Sequence, residues 1–156
     1  MKKINKTLVF IILFFYFFTF NLSKIIANED HFFLTLKNDE VNLRLGPSLK
    51  HPIKLIYNKK YLPVIILDKS ETWRKIKDFE NNSGWIHISQ LSKKKSAINM
   101  VNNSLLYKKS TIYSKPIAKL EKGKLVLIKK CKDQWCKVMS DEFVGWILKI
   151  NLWGRI

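Results

Sequence analysis

The chain is predicted to be all-β: a short leader followed by two tandem small β-barrels. Three observations carry that expectation. A tryptophan signature occurs twice, as Trp73-Arg74-Lys75-Ile76 with Gly84-Trp85-Ile86, and again as Trp135-Cys136-Lys137-Val138 with Gly145-Trp146-Ile147. Repetition of a pattern at a fixed period of this size marks copies of one structural unit. The first Trp recurs after 62 residues and Gly-Trp after 61, so only the turn between them differs in length. Short apolar or alternating runs separated by polar turns fill both copies, which is the pattern of small sandwiches and barrels. No segment after the leader has the length and period of a long helix.

The N-terminus reads as a targeting segment. Lys2, Lys3 and Lys6 form a basic start, residues 8–20 carry no charge, and Ala27 supplies a small residue before Asn28-Glu29-Asp30. A membrane span needs about 20 apolar residues, and a run of 13 fits the core of a signal peptide. Residues 1–27 are therefore expected to be a signal peptide. The protein is expected to be exported to the periplasm or cell envelope, the alternative being an uncleaved anchor in the inner membrane. Removing the leader's four lysines leaves 25 basic residues against 12 acids, a net charge of +13. Such a surface attracts anionic partners, although a Lys-, Asn- and Ile-rich composition also arises from drift alone.

The first unit is expected over 33–98. Phe32-Phe33-Leu34-Thr35-Leu36 opens it as a strand, and Val41-Asn42-Leu43-Arg44-Leu45 alternates polar with apolar residues. Gly46-Pro47-Ser48 breaks the chain. Residues 53–57 and 62–67 are two further strands, residues 73–77 alternate again, and a turn-rich segment leads to Trp85-Ile86-His87-Ile88. Lys93-Lys94-Lys95 is either a last strand edge or a solvated run. The second unit is expected over 103–156, with Pro116-Ile117 standing for Pro52-Ile53 and Gly123 at the place of Tyr61.

Cys131 and Cys136 are the only cysteines. They flank a hairpin turn, where residues on facing strands come within disulfide reach, and export permits oxidation. A structural disulfide is expected. A metal site is the alternative, but His31, His51 and His87 all lie outside this repeat, and no metal or cofactor is expected.

Val41-Asn42-Leu43-Arg44-x-Gly46-Pro47, then Trp73-x-x-Ile76, then Gly84-Trp85-Ile86 resembles the bacterial SH3-like (SH3b) domain. The second copy keeps Trp135, Gly145 and Trp146 and ends in Trp153-Gly154, but has Tyr107-Lys108-Lys109-Ser110 in place of the Asn-Arg-Gly-Pro element. Together the copies resemble tandem SH3-like exported proteins of alphaproteobacteria, Cys-x4-Cys turn included. The resemblance implies a binding protein of the cell envelope.

Catalysis is not expected. A nucleophilic Cys needs a base beside it, and both cysteines belong to one hairpin. The acids are scattered through turns, and no phosphate loop appears. Asn42, Arg44, Trp73 and Trp85 are the candidate binding residues. If Ile76 and Ile86 point into the barrel, strand parity turns Trp73 and Trp85 outward, where aromatic faces beside Arg and Lys suit a peptide with carboxylates. The competing role for these tryptophans is to cover the core or join the repeats. Arg44 either clamps a carboxylate or pins its own loop to a carbonyl. The expected partner is cell-wall peptide or an envelope protein, with an anionic surface also possible and nucleic acid excluded by export. The alternatives are an adaptor that recruits an enzyme, or a degenerate wall hydrolase.

Overall fold

The computed structural model describes residues 32–156, which form one compact unit. The leader expected over 1–27 lies outside the described residues. Among the described residues there is no α-helix, only two 3-10 turns, and no helix is long and apolar enough to cross a membrane.

Two seven-stranded antiparallel sheets make up the unit, and they are wired identically. The first contains β1 (Phe33–Leu36), β2 (Val41–Arg44), β3 (Ile53–Tyr57), β4 (Pro63–Ser70), β5 (Trp73–Lys77), β6 (Ser83–His87) and β7 (Leu91–Ser92). Their order is β3-β2-β6-β5-β4-β1-β7. The second contains β8 (Ser96–Asn99), β9 (Ser104–Tyr107), β10 (Pro116–Leu120), β11 (Leu125–Lys132), β12 (Trp135–Ser140), β13 (Phe143–Leu148) and β14 (Leu152–Arg155). Its order, β10-β9-β13-β12-β11-β8-β14, repeats the first strand for strand.

This wiring moves the division between the halves. Residues 96–98, expected at the end of the first unit, open the second sheet as β8, paired to β11 and β14. The switch falls between Ser92 and Ser96. All four residues of β8 are buried, so the strand shows no polar–apolar alternation.

Alternation does fix the inside of each barrel elsewhere. Leu43, Ile76 and Ile86 are fully buried in the first half, as are Leu106, Val138 and Ile147 in the second. Gly84 and Gly145 leave room for the chain opposite: a Cβ on Gly84 would lie 2.6 Å from the Arg44 carbonyl oxygen, and one on Gly145 2.8 Å from that of Tyr107. That close approach explains the repeated Gly-Trp.

Turn chemistry follows the sequence with one exception. Two-residue hairpins link Ser70 to Trp73 and Lys132 to Trp135, with Glu71 and Asp133 at positive φ. Cys131 and Cys136 are cross-strand partners and form a disulfide. Lys69 and Arg74 occupy the same register in the first barrel. Tyr61 and Gly123 both take a left-handed conformation, at φ 63° and 84°. For Tyr this conformation is strained.

The barrels share core. Ile98 from β8 is fully buried within the first barrel's cluster, and Met100, Leu125 and Trp153 pack against it. Trp153 meets Phe33 edge-on at 5.0 Å and Phe79 at 6.4 Å. Arg155 donates from Nη1 to the Phe33 carbonyl at 2.6 Å and from Nε to the Lys93 carbonyl at 3.0 Å. Gly154, at φ 148°, lies so close to the backbone of Ser96 and Ala97 that a Cβ would clash with both, and it would crowd Pro63 at 3.1 Å. The role left open for the tryptophans, joining the repeats, falls to Trp153.

Candidate functional site

The first barrel carries an open cleft of about 280 Å³ on its outer face. Alternate residues of one strand build one wall: Glu40, Asn42 and Arg44 succeed one another at the period of β2, which places their side chains on one face. Trp73 from β5 and its cross-strand partner His87 from β6 build the floor, their rings edge-on at 5.3 Å. Ser89 and Gln90, from the 3-10 turn after β6, and Leu49, from the loop after β2, complete the rim.

Arg44 is held by its own loop. Its Nη1 donates to the carbonyls of Leu49 (3.2 Å) and His51 (2.8 Å). The pinning role considered for this side chain is therefore the one its Nη1 performs. Its Nε and Nη2 have no hydrogen-bond partner among the described residues, so the guanidinium keeps donors for a ligand while its position is fixed. Ser48 Oγ and His51 Nδ1, 2.9 Å apart, stiffen the same loop. His87 is oriented by Ser89, with Nδ1 and Oγ 2.8 Å apart. The Asn42 side-chain oxygen is buried with no hydrogen-bond partner.

Trp73 differs from the expectation of an outward-facing, partly exposed ring. It stays out of the apolar cluster, as parity requires, yet it is only 8% exposed. The ring lines the cleft with most of its surface covered, His87 standing edge-on beside it. Trp85 is half-buried and is not among the residues lining the cleft. Asn42, Arg44 and Trp73 thus come together; Trp85 stands beside Arg44 across the β2–β6 pair but does not join them. Glu40, His87, Ser89 and Gln90 were not singled out in the sequence. Glu40 continues the parity of Asn42 and Arg44, and His87 that of Trp85, so period 2 alone would have brought both into view.

The second barrel is built differently at the equivalent place. By register, Tyr107 stands where Arg44 does, each facing the Trp of the Gly-Trp pair. Its ring meets Trp135, the counterpart of Trp73, edge-on at 5.7 Å. Leu148 replaces His87 as the cross-strand partner of that Trp. Trp146 lies under Lys130 at 5.7 Å. Charged and polar groups have been exchanged for packed side chains, and the staple between Cys131 and Cys136 lies on the same hairpin.

One buried polar knot in the first barrel is structural. Asp78 is 2% exposed and accepts from the Glu80 and Asn82 amides, from Asn82 Nδ2 and from the Tyr57 hydroxyl, at 2.8–3.0 Å. Burial, and then the Asp78 carboxylate, push the Tyr57 hydroxyl well above its ordinary range. Among the described residues no group of His, Cys, Asp or Glu is arranged to hold a metal ion.

Two identically wired barrels of this size define a tandem of SH3-like domains. The bacterial SH3 domain model matches residues 37–93 and 101–154, and the chain belongs to that family. Among solved structures the chain is similar to NlpC2 and NlpC1 from Trichomonas vaginalis, each at 15% identity over 81% of this chain, with TM-scores of 0.36 and 0.35. It spans about half of their length, 49% and 46%, and a likeness this distant carries no argument about activity. No curated protein matches the chain.

Proposed function

We propose that the protein is an exported, non-enzymatic binding module of the cell envelope whose first barrel recognises peptide of the peptidoglycan stem. The cleft carries this reading. Trp73 lines the cleft together with Arg44 and Glu40, a pair that offers one charge of each sign to a short peptide bearing carboxylates and an amine. Charge-assisted bonds to a fixed guanidinium are the strong, directional kind. Membership of a family of binding domains agrees with it. Both cysteines are consumed in the disulfide, which leaves no thiol for the Cys–His chemistry of wall peptidases.

Titration of intrinsic tryptophan fluorescence with defined stem peptides tests the reading. Arg44→Ala is expected to weaken binding about ten- to a hundredfold, the loss typical of a charge-assisted hydrogen bond. Tyr107→Ala in the second barrel is expected to leave affinity unchanged. Binding that is insensitive to Arg44→Ala, or retention on purified peptidoglycan only in the presence of a second protein, would favour the adaptor role instead. Release of soluble muropeptides from the same material would show hydrolysis.

A further inference from the structure

A second surface, at the seam between the barrels, has a composition of its own, with no acidic side chain among its lining residues. An open depression there is lined by Phe32, Phe33, Lys95, Lys149, Gly154, Arg155 and Ile156. Phe32 is 56% exposed, and Ile150, next to Lys149, is 86% exposed. Lys95 and Lys149 line the depression, Lys93 and Lys94 directly precede Lys95 in the chain, and all four are exposed. Lys129 joins them, because the Ile128 amide donates to the Lys95 carbonyl at 3.1 Å. No acidic side chain lines the depression. The ion pairs among the described residues are Lys60–Asp39 and Lys124–Asp141, so none of these five lysines is neutralised by one.

We propose that this seam face binds an anionic lipid bilayer, with the five lysines at headgroup level and Phe32 and Ile150 inserted into the interface. Lysines around a few exposed apolar side chains are the composition of interfacial binding sites. Ammonium groups on long stems reach phosphates while their methylenes stay in the apolar layer. The charge fits phospholipid phosphates and has nothing to offer a neutral surface. In the sequence, eleven residues, 21–31, separate Phe32 from the uncharged run that ends at Phe20. The proposal does not depend on the peptide cleft, which is built from other residues of the first barrel.

Residues 31–156 form a compact unit of their own, which holds both apolar clusters found among the described residues, so residues 28–156 form the chain to test. Co-sedimentation with vesicles of phosphatidylglycerol and phosphatidylcholine, against phosphatidylcholine alone, is expected to show binding only to the first. Replacing Lys93, Lys94 and Lys95 together by Ser is expected to lower partitioning by about two orders of magnitude. The triple Lys108, Lys109, Lys115→Ser variant, in the loop at the far edge of the second sheet, is expected to lower it less than threefold. Phe32→Ser with Ile150→Ser is expected to leave only binding that about 0.5 M salt abolishes, while the parent protein keeps a salt-resistant fraction. Arg44→Ala is expected to bind vesicles as the parent does, which separates this face from the cleft. Equal losses in the two triple variants would show attraction to net charge alone and overturn the proposal. So would equal binding to neutral vesicles, or an unchanged salt profile without Phe32 and Ile150.

Discussion

Removing the indole of Trp153 tests whether the barrels are one cooperative body. Trp153 belongs to the last strand of the second barrel but packs on Phe33 and Phe79 of the first. Truncating a fully buried Trp costs about 3–5 kcal/mol; Trp153 is half-buried, so about 2–3 kcal/mol is expected for Trp153→Ala. For a chain of this size each kcal/mol moves the melting temperature about 3–5 °C, giving a drop of about 6–15 °C. Calorimetry of the parent protein is expected to show one transition whose calorimetric and van't Hoff enthalpies agree, because Ile98 is counted in the first core while its strand belongs to the second sheet. A second variant, Gly154→Ala, attacks the same seam without removing a contact: its Cβ would sit 2.6 Å from the Ser96 carbonyl oxygen and 3.1 Å from Pro63 Cβ. It is expected to destabilise at least as much. Two resolved melts in the parent, or a drop below about 2 °C in Trp153→Ala, would refute the shared core.

Tyr57 makes stability depend on alkaline pH. Its hydroxyl is held above the ordinary 10.0 in the fold, so above that pH the unfolded chain releases a proton that the native state keeps, and stability falls with a slope approaching about 1.4 kcal/mol per pH unit. Below pH 10 the contribution is fully present, and Tyr57→Phe is expected to flatten the urea midpoint between pH 10 and 12; equal slopes would refute it. Tyr61→Gly is expected to stabilise by about 0.5–1 kcal/mol, since relief of a left-handed Tyr outweighs the backbone freedom of Gly, and a denaturant titration reads it. Cys131→Ser opens a very short loop and is expected to cost about 2 kcal/mol. Cys136→Ser is expected to cost more, because Cys136 is fully buried and the new hydroxyl would be too; thermal melts of the two variants under non-reducing conditions compare them.

Most of the architecture was legible because small barrels write their interior at period 2. Ile76, Ile86, Val138 and Ile147 point inward as the alternation requires, and the hairpin turns lie where the polar residues cluster. The boundary was not legible. Ser96 and Asn99 look like linker residues, yet both are buried: Ser96 Oγ donates to the Tyr61 carbonyl, and Asn99 Nδ2 donates to the Val101 and Glu121 carbonyls at 2.7 and 2.8 Å. A strand satisfied by long-range partners shows no period. The seam role of Trp153 was hidden for the same reason, since nothing local says that its neighbours are Phe33 and Phe79. At the cleft, Asn42, Arg44 and Trp73 stood out by type, whereas Ser89 and Gln90 enter from a 3-10 turn whose direction depends on the strand before it. The burial of Trp73 was missed because parity distinguishes the two faces of a strand but not whether the outer face is roofed by a loop.

The clamp that Arg155 and Trp153 place on β1 has a mechanical consequence. β1 is the strand through which any pull from the N-terminal side enters the fold, and it lies between β4 and β7 in the sheet. Tension on Phe33 acts along the strand, so the ladder to both neighbours is loaded in shear and must give way nearly together. The guanidinium of Arg155 grips the Phe33 carbonyl at the point of loading, and the Trp153 ring packs edge-on against the ring of the same residue. The second barrel thereby braces the first where force would enter.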